Sequence, residues 1–208
     1  MPPESPAPIP TSPRSSAGGG GQEPLSLMRQ LRSVALWLLL ALLLRWIVVE
    51  PRWIPSGSML PTLQLQDRIL VEKVRSRLRR PLTTGTIVVF HPPAALQAAG
   101  YDPGAALIKR VVAVAGDRIA VSAGQLQRNG TPVQESWRSE PMDYELAPLT
   151  VPPGHVLVLG DNRNASLDSH LWGPLPVNDV IGTAIWRYWP LEHFGPIRFA
   201  AAVPAELN

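Results

Sequence analysis

Two residues of this chain are placed for covalent chemistry, a serine in a stiff loop and a lysine in an apolar run. Ser58 lies in Ile54-Pro55-Ser56-Gly57-Ser58-Met59-Leu60-Pro61-Thr62-Leu63, and Lys109 in Leu107-Ile108-Lys109-Arg110-Val111-Val112-Ala113-Val114. The chain has 19 basic residues, and every one except Lys73 and Lys109 is arginine. Arginine keeps its proton in a protein, whereas burial can lower the pKa of a lysine until it acts as a base. A serine beside a neutral lysine is an established way to activate a hydroxyl nucleophile. Pro55 and Pro61 bracket the serine segment, with Gly57 as its one permissive hinge. Such a loop can aim the Ser58 N–H and the Ser56 hydroxyl at a developing oxyanion.

Each element also has a plainer reading. A Pro-Ser-Gly-Ser loop is common, and a lysine on an edge strand discourages aggregation. On a strand, Leu107, Lys109 and Val111 share one face, and Arg110 points the other way. One of Lys109 and Arg110 can then be buried and the other exposed or salt-bridged. A third element, Gly160-Asp161-Asn162-Arg163-Asn164-Ala165-Ser166-Leu167-Asp168-Ser169-His170, is dense in small and charged residues. It reads either as a capped structural turn or as a loop that orients Lys109 through Ser166 or Ser169. His170 and Asp168 also admit a Ser58–His170–Asp168 triad, although that triad gives no reason for a lysine in an apolar run.

The elements that must position these residues follow from pattern. Residues 1–24 form a Pro, Ser and Gly tract that reads as a disordered tail. Residues 25–50 hold the run SVALWLLLALLLRWIVV, with one charge, Arg45, near its far end. This reads as a single transmembrane anchor with Arg45 snorkelling to the interface. No small-x-small cleavage site follows it, which argues against a removed leader. Beyond residue 50 the pattern changes to short strands: Arg68–Lys73, Thr86–Phe90, Leu107–Ala115, Arg118–Val121, His155–Leu159 and Gly182–Tyr188. Asn129-Gly130 marks a hairpin with a type I′ turn. Residues 134–150 show no period and read as a loop or lid. The fold class is therefore mostly β. The net charge of +3 shows no nucleic-acid pattern, and the absence of cysteine excludes disulfides and thiolate metal sites. The four histidines are scattered, so no metal or other cofactor is expected.

Taken together, the three motifs resemble the type I signal peptidases, membrane-bound serine proteases with a Ser–Lys dyad. The resemblance rests on PSGSMLPTL, IKRVVAVAGD and GDNRNASLDSH in the family's order, with GTIVVF between the first two. The wording GDNRN…DSHLWGPLP is most similar to the cyanobacterial and thylakoid branch. The resemblance implies Ser58 as nucleophile and Lys109 as general base, with Ser56 in the oxyanion hole and Ser166 hydrogen-bonded to Lys109. It implies that Asp161, Arg163 and Asp168 hold the loop, and that Ile54, Leu63 and Ile108 bind substrate. The implied substrate is a preprotein signal peptide with small residues at −1 and −3, cleaved at a lipid bilayer.

The implied fold is one of coiled antiparallel sheets. Its catalytic domain covers 51–117 and 153–200, with a small β-ribbon insertion at 118–152 and a tail at 201–208. The implied location is a plasma or thylakoid membrane, with the N-terminus cytoplasmic and the catalytic domain on the exported side. Where many members have arginine at the end of the third motif, this chain has His170.

Overall fold

The computed structural model describes residues 24–138, 140–197 and 203–204. The expected tail over 1–24 lies outside the described residues except for Pro24, and the tail over 201–208 is described only at 203–204. The chain divides into two units, Met1–Ala41 and Leu42–Asn208.

The first unit holds most of α1 (Pro24–Ile47). Leucine and alanine are strong helix formers, and a helix here needs no packing partner to be locally consistent. Large apolar side chains stand exposed along it, among them Leu36, Trp37, Leu38, Leu39 and Leu42. The expected anchor is thus a helix, but no helix among the described residues is long and apolar enough to cross a membrane.

The second unit is built on two antiparallel sheets. The larger runs β1 (Val49–Trp53), β2 (Arg68–Glu72), β11 (Val180–Trp189), β3 (Ile87–Phe90), β4 (Leu107–Val114), β9 (His155–Leu159) and β10 (Leu175–Pro176), with β12 (Gly195–Pro196) against β11. The smaller runs β13 (Val203–Pro204), β7 (Thr131–Gln134), β6 (Gln125–Arg128), β5 (Arg118–Ser122) and β8 (Leu146–Thr150). Short helices α2 (Val74–Arg77), α3 (Ala94–Ala98) and α4 (Ser169–Trp172) fill connections. The Asn129-Gly130 turn has φ of 55° and 83°, the two positive values that a type I′ turn demands.

Five strands escaped the pattern for one reason. β1 carries Glu50, Pro51 and Arg52, β8 carries Pro148, and the two-residue strands β10, β12 and β13 end in Pro176, Pro196 and Pro204. Each of the five pairs with one neighbour only, and at such an edge proline is tolerated because one side of the strand needs no ladder bond. The segment read as a loop or lid, 134–150, therefore ends in strand β8. It also buries Glu135, Trp137 and Met142, the last two in one apolar cluster with Val112, Leu157 and Leu159.

β4 and β11 lie inside the large sheet, and their neighbours leave little tolerance. A Cβ added at Gly182 would stand 2.3 Å from the Glu72 carbonyl oxygen and 2.9 Å from Val71 Cγ1. Gly182→Ala is expected to cost about 1–3 kcal/mol through overpacking, measured as a fall in the thermal unfolding midpoint. An unchanged midpoint would mean that β11 shifts freely against β2.

Candidate active site

Ser58 occupies the middle of a single 3₁₀ turn, Gly57–Met59, and is buried. The turn is closed by the Leu60 N–H donating to the Gly57 carbonyl. Being so near the start of the turn, the Ser58 N–H has no acceptor within it. Apolar residues anchor the loop from below: Met59 and Leu63 are buried, and Ile54 pairs its N–H with the Asp67 carbonyl. Asp67 in turn accepts from the Gln64 N–H at 2.8 Å and from Arg187 at 2.7 Å.

β4 brings in the lysine. Lys109 is 4% exposed, and its Nζ lies 2.7 Å from Ser58 Oγ. Leu107, two residues earlier on the same face, lines the same cavity. Arg110 on the opposite face is 1% exposed, so both basic residues are buried. Arg110 forms a two-toothed ion pair with Asp161, at 2.7 and 2.6 Å, and donates to the Gly85 carbonyl at 2.9 Å. Its guanidinium also lies over the Trp137 ring, 4.3 Å from the centroid.

The third motif closes the site from behind. The Asn162 N–H and side-chain amide donate to the Ser58 and Gly57 carbonyls, at 3.1 and 3.2 Å. Asp168 caps α4 and accepts from the Gly160 N–H at 2.8 Å, and its other oxygen meets His170 Nδ1 at 2.7 Å. His170 stacks on Tyr144 with centroids 4.0 Å apart. Arg163 pairs doubly with Glu135, at 2.6 and 2.8 Å, both buried, and holds the Gly160 carbonyl through Nε at 2.9 Å. Ser166 Oγ is buried beside Gly160 without a hydrogen-bond partner, so no Ser166–Lys109 bond is present. Ser56 Oγ stands 3.4 Å from Ser58 Oγ. Among the described residues, Ser58 Oγ meets Lys109 and Ser56 but not His170, which leaves the triad without its central contact.

A cavity of about 420 Å³ opens over the pair. Besides Ser56, Ser58 and Lys109, it is lined by Tyr101, Leu107, Asn162, Ala165 and Leu167. Ile54, Leu63 and Ile108, expected to bind substrate, are buried together in the core cluster that includes Met59, and are not among the lining residues. Sequence reasoning did not single out Tyr101, Glu135 or Trp137. Tyr101 follows a Pro and Ala stretch without strand pattern, and Glu135 and Trp137 lie in the segment that has no period. Among the described residues, no cluster of histidine and carboxylate could hold a metal ion.

Burial pushes the Lys109 amine down from 10.5 to about 8, against the opposing pull of Asp168 and Asp161. The arrangement is thus a hydroxyl beside an amine that is partly neutral at neutral pH, the apparatus of a Ser–Lys hydrolase. The signal peptidase model, peptidase S26, matches residues 27–189. The chain belongs to that family. It is 51% identical over 168 residues to a probable signal peptidase I-1 of Synechocystis, covering 81% of this chain and 85% of the relative. It is 41% identical over 195 residues to a signal peptidase I of Leptolyngbya laminosa, covering 93% and 96%. It is also 49% identical over 150 residues to a probable chloroplastic thylakoidal processing peptidase of Arabidopsis thaliana, covering 72% and 41%.

The depressed lysine has a consequence for stability. Between pH 8 and 10.5 the unfolded chain binds the proton that the folded chain has lost, so this residue's contribution to stability rises with pH across that window. Below pH 8 its cost is fully present. Lys109→Met should therefore stabilise the fold at pH 7 by about 3 kcal/mol, with the gain vanishing as pH approaches 10.5. Thermal unfolding of both proteins from pH 7 to 10.5 checks this, and a destabilised methionine variant at pH 7 would refute it.

Proposed function

We propose that this chain is a membrane-associated serine endopeptidase that removes signal peptides from preproteins, with Ser58 as nucleophile and Lys109 as general base. The observation that carries the residue roles is the 2.7 Å approach of Lys109 Nζ to Ser58 Oγ at the floor of an open cavity. Neutral Lys109 takes the hydroxyl proton as Ser58 Oγ attacks the scissile carbonyl. The oxyanion lies against the Ser58 N–H and the Ser56 hydroxyl. The amine then returns its proton to the leaving nitrogen, and it next activates the water that hydrolyses the acyl-enzyme.

Ser166 fills space beside Gly160, and Asp161, Arg163 and Asp168 fix the loop that backs the nucleophile. The cavity walls Leu107, Ala165, Leu167 and Tyr101 present a mostly apolar surface beside the serine, and small uncharged residues at −1 and −3 of the substrate suit that surface. Ile54, Leu63 and Ile108 bear on the substrate by setting the depth of this floor.

Membrane association is supported by the exposed leucines of α1, which match hydrocarbon better than water. A second apolar group supports lipid contact by the catalytic unit. Trp53, Trp189, Leu191 and Phe194 are exposed, and Trp53 and Trp189 flank Arg68 in one row across β1, β2 and β11. The tail on the cytoplasmic side and the catalytic unit on the exported side of a plasma or thylakoid membrane is the topology that brings this cleft to an emerging preprotein.

The deciding experiment is cleavage of a signal-peptide-bearing preprotein in detergent across pH 6–10. The wild type should cut after a small-x-small sequence, at a rate rising with pH to a plateau above about 8. Ser58→Ala, Lys109→Ala and Lys109→Arg should each lose at least about 10³-fold, arginine because it stays charged. Substantial cleavage by Lys109→Arg would defeat the lysine-base assignment. For the membrane, Trp189→Ser with Phe194→Ser should weaken the flotation of a chain lacking residues 1–47 with liposomes, and unchanged flotation would remove that surface from the account.

A further inference from the structure

A second cavity, of about 530 Å³, lies away from the serine and lysine, and its wall is built from Glu50, Lys73, Arg77, Arg79, His91 and Asn178 among others. Three permanent cations face one carboxylate, and that carboxylate is already engaged: Glu50 pairs with Arg52 and meets Lys73 Nζ at 3.2 Å. The cavity wall therefore carries an excess of positive charge. The cations are held in place by backbone geometry. The Ser76 hydroxyl donates to the Ile181 carbonyl at 2.7 Å, tying α2 to β11. The Arg80 N–H reaches back to the Arg75 carbonyl at 3.0 Å, and Arg79 takes a left-handed turn with φ of 50°. Arg77 Nη1 donates to the Ile47 carbonyl at 2.9 Å, at the last residue of α1. The basic cavity thus begins where the apolar helix ends.

We infer that this cavity binds the anionic headgroup of a membrane lipid, a phosphate or sulfate ester whose acyl chains remain with the lipid around α1. This rests on the membrane association proposed above. The chemistry is that of arginine forks on a singly charged ester, which zwitterionic headgroups satisfy less well because their own ammonium repels the same cations. A soluble phosphate ester presents the same anion, but without chains it has no reason to prefer the end of an apolar helix. Clustered cations directly after a lipid-seeking helix are the expected footprint of anionic lipid recognition.

The full chain, purified in detergent with equal phosphatidylglycerol and phosphatidylcholine and examined by native mass spectrometry, should retain phosphatidylglycerol preferentially. Arg77→Gln with Arg79→Gln should cut that retention roughly 25-fold, about fivefold per cation removed. The double lysine variant at the same positions should retain more than the double glutamine variant but less than the wild type, because it keeps the charge and loses the forks. Arg118→Gln, which removes an exposed cation from β5 in the smaller sheet, should change nothing.

Equal retention of the two lipids by the wild type, or unchanged retention in the double glutamine variant, would overturn the inference. So would glycerol 3-phosphate binding that needs Arg77 and Arg79 while lipid retention shows no preference, since that assigns the cavity to soluble esters. Hydrolysis of a soluble peptide by the glutamine variant should equal the wild-type rate, because neither arginine touches the cleft. Failure of the peptidase reading would appear separately, as undiminished cleavage by Ser58→Ala.

Discussion

The site depends on keeping one amine out of water without giving it a counterion. Lys109 must be buried for its proton to leave near neutral pH, yet Asp161 and Asp168 both lie close enough to pull its pKa upward. Each carboxylate is committed elsewhere. Asp161 spends both oxygens on Arg110, and Asp168 spends its own on the Gly160 N–H and His170. Strand alternation makes the first commitment possible, because it sends consecutive basic side chains to opposite faces of β4. Had Asp161 been left to Lys109, the amine would stay charged and could accept no proton.

The same economy explains the third motif, which acts as a spacer between two demanding neighbours. Gly160 packs so closely that an added Cβ would sit 2.2 Å from Ser166 Oγ and 2.5 Å from the Ser58 carbonyl oxygen. Arg163 fastens the loop to Glu135, and the stack of Arg110 on Trp137 fastens β4 to the same insertion. The smaller sheet is therefore part of the support of the active site. Buried ion pairs of this kind add little net stability but are costly to break singly, since the orphaned partner keeps its charge in a dry place.

Much of this was legible in the chain. The Ser58 loop, the placing of Lys109 with Leu107, the Asn129-Gly130 turn and the inner strands all followed from local chemistry and period. The outer strands β1, β8, β10, β12 and β13 were hidden because an edge tolerates proline and charge, and so writes no alternating pattern. Glu135 and Trp137 were hidden because their partners, Arg163 and Arg110, stand 28 and 27 positions away, and no local rule links such residues. Ser166 shows the reverse case. A hydroxyl suggested by motif wording as a hydrogen-bond partner proves to be a tightly packed neighbour of glycine, a distinction that depends on distances absent from any one-dimensional reading.

The Ser58 turn receives its backing from Asn162 and its base from Lys109, so the nucleophile's supports come from chain made long after it. As the polypeptide emerges N-terminus first, the hydroxyl appears early but stays an ordinary alcohol until more than a hundred further residues have arrived and closed around it. Contacts so distant in sequence are slow to form. The chain order therefore sets a delay between the appearance of the hydroxyl and the assembly of its base and backing.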